Sequence, residues 1–263
     1  MNDERLRKVV NKSGFPLQIA IQSQIKASNK HEWRVLFEEH FWKDNRSNQS
    51  GFIDLILDKD PSDTLIVECK RAKATEWIFL CDKESQSDHE ATVKIWETFC
   101  EDGKMSHFGW KEVSIPLIPR SLESMYCVVS KKGNSLPTML ENFSADLLLA
   151  TENFAKEDTV LFNSFPRYLR RYVSVIVTTA KLKLCEYDTS EISISSGEFD
   201  NAVFTELPYI RFRKQFLENN KTALDWNSSD SIEISKAKEN SVFIVNIDSF
   251  EEFLTNFRII DPK

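Results

Sequence analysis

Glycine is scarce in this chain, with six in 263 residues and none arranged as GxG. The glycine-rich loops that cradle phosphates in P-loop and dinucleotide-binding proteins are therefore missing. No GxSxG elbow is present to place a serine nucleophile. The five cysteines, Cys69, Cys81, Cys100, Cys127 and Cys185, are odd in number and never form CxxC. That excludes a disulfide framework and a zinc knuckle as readings and leaves buried, reduced thiols. No apolar run approaches the roughly 20 residues that span a bilayer. The N-terminus, MNDERLRKVV, carries charge where a signal peptide needs an apolar stretch. The expectation is a soluble, cytoplasmic protein with no membrane association.

What is present describes an ordinary folded chain: 41% of residues are apolar and 29% charged, with 19 Phe and 6 Trp available for a core. The length suits a single extended α/β domain over residues 1–263. A net charge of -7 argues against coating nucleic acid by bulk attraction, because such binding neutralises phosphates with Lys and Arg. Nucleic-acid contact would have to be local. The candidate patches are Lys70, Arg71 and Lys73; Arg167, Arg170 and Arg171; and Arg211, Arg213 and Lys214. A solvated face is the ordinary role of such clusters.

The segment HEWRVLFEEHFW (31–42) sets Trp33, Leu36, Phe37, His40 and Phe41 at helical spacing and predicts a first core helix. Gly51 then leads into FIDLIL (52–57), the turn-rich DKDPSD (58–63) and TLIVECK (64–70), which predict two strands joined as a hairpin. Residues 82–120 read as an insertion with a helix near 89–100. MYCVVS (125–130) predicts a third strand, Pro137 opens a helix running to about 156, and YVSVIVTTA (172–180) predicts a fourth strand. The extension 181–263 adds strands near 182–187, 208–214 and 242–247. Ser249 and Glu252 then have the spacing of a capping box for a last helix. The fold class expected is α/β, a mixed central sheet flanked by helices.

The two hairpin strands are apolar except at Asp54, Glu68 and Lys70. Charges in such strands are costly unless paired or bound to a metal. Mg²⁺ takes hard oxygen ligands, usually one or two carboxylates, and keeps positions for water and substrate phosphate. Asp54 and Glu68, on paired strands, can converge as those ligands. Residues two apart share a strand face, so Lys70 stands beside Glu68, placed to hold an attacking water and offset phosphate charge. Three acid-x-Lys triplets occur, but Asp102 sits beside Gly103 in a polar loop and Asp261 beside Pro262 in the tail. Only Glu68 follows apolar residues in a predicted strand. The structural alternative is an ion pair between Asp54 and Lys70 at a strand edge.

GFIDLIL (51–57) and LIVECK (65–70), with Glu68 following Asp54 by 14 positions, resemble the PD-(D/E)XK nuclease superfamily. Ile53 replaces the name-giving proline. The resemblance implies a restriction-endonuclease-like core over about 30–180, ordered helix, three strands, helix, strand. It also implies Mg²⁺- or Mn²⁺-dependent hydrolysis of phosphodiester bonds, most naturally of DNA, in defence or repair. Asp54 and Glu68 would be the metal ligands and Lys70 the water-orienting base. Members often add a glutamate from the first helix, here Glu38 or Glu39, with Glu39 preferred. His40, Trp33, Trp42 and Trp77 read as core. The competing function is a catalytically inactive nuclease-like fold serving as a protein-binding or assembly module, with a homo-oligomer or protein partner.

Overall fold

In the computed structural model the described residues are 3–60, 62–73, 75–83, 91–116, 122–131, 134–136, 139–162, 167–199, 201–216, 235–236 and 238–260. Two helices open the fold, α1 (Asp3–Lys12) and α2 (Phe15–Ala27). Strands β1 (Arg34–Lys43), β2 (Ser50–Asp58), β3 (Asp63–Lys70) and β4 (Thr75–Asp82) follow. Next come β5 (Ala91–Glu101), β6 (Lys104–Ile115), β7 (Glu123–Ser124), β8 (Tyr126–Lys131) and β9 (Asn134–Leu136). The long helix α3 (Met139–Phe162) leads to β10 (Arg167–Thr178), β11 (Lys181–Tyr187), β12 (Val203–Leu207), β13 (Tyr209–Lys214) and β14 (Asn240–Asn246). Helix α4 (Phe250–Asn256) comes last. The architecture is mixed α/β with a mixed central sheet.

The larger sheet has the order β1-β2-β3-β10-β14-β13-β7, and the β5–β6 hairpin joins it through β10. A smaller sheet has the order β12-β11-β4-β8-β9. One core fills the space between the large sheet, α3 and the inner face of the small sheet, with Ile56, Ile66, Leu148, Phe154, Phe79 and Leu184 among its members. A second core lies on the opposite face of the large sheet under α2 and α4, and holds Ile21, Ile25, Leu65, Val67, Phe243 and Phe253. Strand β3 is covered on both faces and runs parallel to β10, which is why its sequence is apolar without alternation. No helix among the described residues is long and apolar enough to cross a membrane.

Residues 34–43 are a strand where helical spacing predicted a helix. Their ladder with β2 shifts register between Val35 and Phe37, and Glu39 takes φ 49°. Each irregularity breaks the two-residue alternation. Leu36, Phe37, His40 and Trp42 consequently all pack toward α3, and that spacing imitates a helix face. The helix preceding β1–β3 is α2, and six strands, β4–β9, stand between β3 and α3, so the expected order helix, three strands, helix, strand is not met as an unbroken run; α3 leads into β10, which lies beside β3 in the sheet.

The helix expected near 89–100 is also corrected. Residues 91–100 are strand, not helix, and β5 and β6 pair along their length, around Asp102 (φ 52°) and Gly103 (φ 70°). Two consecutive residues with positive φ are what a two-residue hairpin turn requires. The strand at 126–131 belongs to the small sheet, not beside the hairpin. Residues 181–263 supply β11 and β12 to one sheet and β13 and β14 to the other. Ser249 precedes α4 without a side-chain capping bond, so the capping box does not form. Pro119, Pro137, Asp261 and Pro262 lie outside the described residues.

Candidate active site

The β2–β3 ladder pairs Asp58 with Thr64 and continues to Leu55 with Val67. One step beyond, where Asp54 faces Glu68, the Asp54 carboxylate takes the place of a backbone acceptor and receives the Cys69 N–H at 2.6 Å. The Asp54 carbonyl accepts from the Gln18 side-chain amide of α2 at 2.8 Å. The backbone polar groups at the end of the ladder are thus occupied, as burial requires. On β1 the register passes from Glu38 opposite Leu55 to His40 opposite Ile53, which puts Glu39 across from Asp54. Glu39, Asp54 and Glu68 therefore form one row across three adjacent strands.

Lys70 forms an ion pair with Glu68, two residues back on the same strand. Its ammonium also lies 4.3 Å from the centroid of the Phe143 ring on α3. A cleft of about 330 Å³ opens here, lined by Glu68, Lys70, Trp42, Gly51, Phe143 and Asp146. A Cβ at Gly51 would meet the Trp42 indole nitrogen at 3.2 Å, so a larger residue there would require the indole to shift by a few tenths of an ångström.

The charge balance of this corner is uneven. Burial pushes the Asp54 carboxyl up to about 7, and repulsion from Glu68 adds to the rise; the Cys69 N–H and Lys70 oppose it, and Glu39 reinforces it. Glu68 is raised in the same direction by burial, against the pull of Lys70, with Asp146 and Glu39 adding repulsion. Desolvation likewise raises Asp146, opposed by Lys70. Four carboxylates thus share one lysine. A cation placed among them would relieve both burial and repulsion.

Among the described residues, no group of three or more His, Cys, Asp or Glu side chains is gathered to hold a metal by protein ligands alone. The donor set fits an ion that takes two carboxylates and fills its shell with water and phosphate oxygens, as Mg²⁺ does. The oxygens present, from Asp54 and Glu68, are of the hard kind that such an ion prefers.

Two of the three basic clusters are consumed by ion pairs. Arg170 meets Asp158 at 2.6 Å and Arg171 meets Asp63 at 2.7 Å, while Arg167 faces Glu101 at 3.8 Å. Arg211 pairs with Glu123 at 2.7 Å, Arg213 with Glu112 at 2.8 Å and Lys214 with Glu141 at 3.1 Å. The cluster at 70–73 differs: Arg71 and Lys73 are exposed and have no ion-pair partner among the described residues. His40 is half-buried, packing its ring against Phe154 at 5.1 Å and reaching the exposed Glu157 at 3.2 Å. Trp33, Trp42 and Trp77 are buried, and all five cysteines are free thiols.

Sequence reasoning missed Asp146 and Gln18. Asp146 had a signal, because it falls three residues after Phe143 and seven after Met139, on the apolar side of α3. Gln18 had none, since nothing local marks which amide meets a remote carbonyl. Comparison with protein-family models, with curated proteins and with solved structures found no match.

Proposed function

We propose that this chain is a metal-dependent nuclease that hydrolyses phosphodiester bonds, most naturally of DNA, at the corner formed by Asp54, Glu68, Lys70 and Glu39. The observation that carries the reading is the row of carboxylates across β1, β2 and β3, short of positive charge and with its lysine at hand. The central sheet, in which β1, β2, β3 and β10 are neighbours, β10 runs parallel to β3 and α3 leads into β10, supports the restriction-endonuclease-like core that the resemblance implies. Perturbed carboxyls facing a cleft are a recurrent mark of catalytic sites.

Asp54 and Glu68 would hold the cation, and Glu39 and Asp146 would bind waters around it through their negative charge. A bound Mg²⁺ or Mn²⁺ supplies Lewis acidity and a readily deprotonated water. Lys70 orients the attacking water and offsets charge on the phosphate, and the Phe143 ring beneath its ammonium limits where that charge can move. The Cys69 N–H fixes one Asp54 oxygen, leaving the other for a ligand.

A second reading is a nuclease-like fold that binds partners without cleaving. It is favoured by the Glu68–Lys70 ion pair, which satisfies both groups internally, and by the pairing of most of the chain's arginines. One experiment separates the two: cleavage of linear, circular and single-stranded DNA in Mg²⁺ and Mn²⁺ by wild type and Lys70→Ala, with melting curves as folding controls. Loss of a positioned acid–base group should cost about 100-fold or more in rate. No cleavage by the wild type, or equal rates in both proteins, would leave the binding-module reading.

A further inference from the structure

A second cleft, of about 320 Å³, shares Lys70 and Phe143 with the acidic one. Its other walls include Lys12 at the end of α1, Arg71 and Lys73 from the β3–β4 connection, and Trp77, and among the described residues no acidic side chain lines it. Lys12, Arg71 and Lys73 are exposed and have no ion-pair partner among the described residues. Trp77 is 1% exposed, and among the described residues its buried indole N–H donates to nothing. In a chain of net charge -7, three exposed cations around one hollow are a local inversion of sign.

The size of the hollow is that of a small-molecule site, not of a groove that follows a duplex. The chemistry that fits is a compact, doubly charged anion. A terminal phosphate monoester carries about -1.5 to -2 at neutral pH, against -1 for an internal diester. We propose that this cleft binds the terminal phosphate of a nucleic-acid strand, so that phosphorylated ends are preferred over hydroxyl ends beside the acidic cleft. The choice of nucleic acid rests on the nuclease reading; the phosphate site itself does not depend on cleavage.

The test is binding in EDTA, where no hydrolysis occurs, by fluorescence anisotropy of labelled single-stranded DNA. Oligonucleotides with a 5′-phosphate, a 3′-phosphate or only hydroxyl ends are compared, on wild type and on Arg71→Glu/Lys73→Glu, with melting curves confirming that the variant folds. Arg71→Ala/Lys73→Ala serves in its place if the charge reversal unfolds the chain. One phosphorylated end should bind at least about fivefold more tightly than its hydroxyl twin, because a further charge beside cations gains that much even in high dielectric. The arm that gains identifies the end. The preference should vanish in the variant and in excess inorganic phosphate. Equal binding of all three oligonucleotides by wild type, or a preference that survives in the folded variant, overturns the proposal. Absence of cleavage with the end preference intact would instead count against the nuclease reading alone.

Discussion

Two charged regions on strands of this molecule resolve their charge in opposite ways. Around β13, Arg211 and Arg213 meet Glu123, Glu112 and Glu239, with Lys94 close by, so cations and acids are equal in number. Arg213 bonds Glu112 and Glu239 at once, and hydrogen bonds from Arg213 and Thr92 hold Glu112 below its ordinary range against partial desolvation. Burial still raises Glu123 against the pull of both arginines. At the end of the β2–β3 hairpin, four acids face one lysine, and Asp54, Glu68 and Asp146 all rise. A balanced network is complete as it stands and serves the fold. An unbalanced one is complete only with a ligand, and that difference, not the presence of buried charge, marks the candidate site.

The comparison breaks most readily at its balanced half. Arg213→Ala should destabilise the protein by about 2 kcal/mol or more, because it removes a buried guanidinium together with its charge-assisted bonds to Glu112 and Glu239. Thermal melting measures this, and added Mg²⁺ should not restore the loss. Removal of an acid from the other half should act in the opposite direction. Asp54 is raised from 3.8 to about 7 in the folded state, so the folded chain binds more protons than the unfolded one between those values. Metal-free stability should therefore fall as pH rises from about 4 to 7. Asp54→Asn should flatten that slope and leave the metal-free protein more stable at pH 7, by on the order of 2 kcal/mol. Urea unfolding in EDTA at pH 4.5, 6 and 7.5 checks both statements; a steeper slope in the variant would refute the charge imbalance.

A smaller effect is expected at Glu39, which holds a left-handed φ of 49° beside Asp54. A non-glycine residue in that region costs about 1 kcal/mol or more. Glu39→Gly should raise metal-free stability by about 1 kcal/mol, and it should weaken divalent-ion binding if the carboxylate belongs to the site. A destabilised Glu39→Gly would mean that the side chain serves packing instead.

The elements that could be read from sequence are those whose patterns are undisturbed. The β2–β3 hairpin was legible because two apolar runs flank a turn-rich loop, and α3 because its apolar side repeats at helical period. Asp54, Glu68 and Lys70 stood out for the same reason, as charges interrupting clean strands. Strand β1 was misread because its bulge and the turn of backbone at Glu39 destroy the alternation that defines a strand. The β5–β6 hairpin was passed over although Asp102-Gly103 is a strong local turn signal, its flanking residues being too polar to suggest buried strands. The small sheet was beyond local reading, since β4 and β11 pair across more than a hundred residues and nothing in either strand names the other.

The central claim is that the acidic corner is short of a cation, and direct titration of Mn²⁺ at pH 7.5, followed by calorimetry on wild type and Asp54→Asn, tests it. One site per chain is predicted in the wild type, with affinity lowered by more than about tenfold in the variant, since loss of a ligand should exceed the effect of losing a supporting contact. The ion should also raise the melting temperature of wild type more than that of the variant. Identical Mn²⁺ affinity in the two proteins, or no binding in either, would contradict the account.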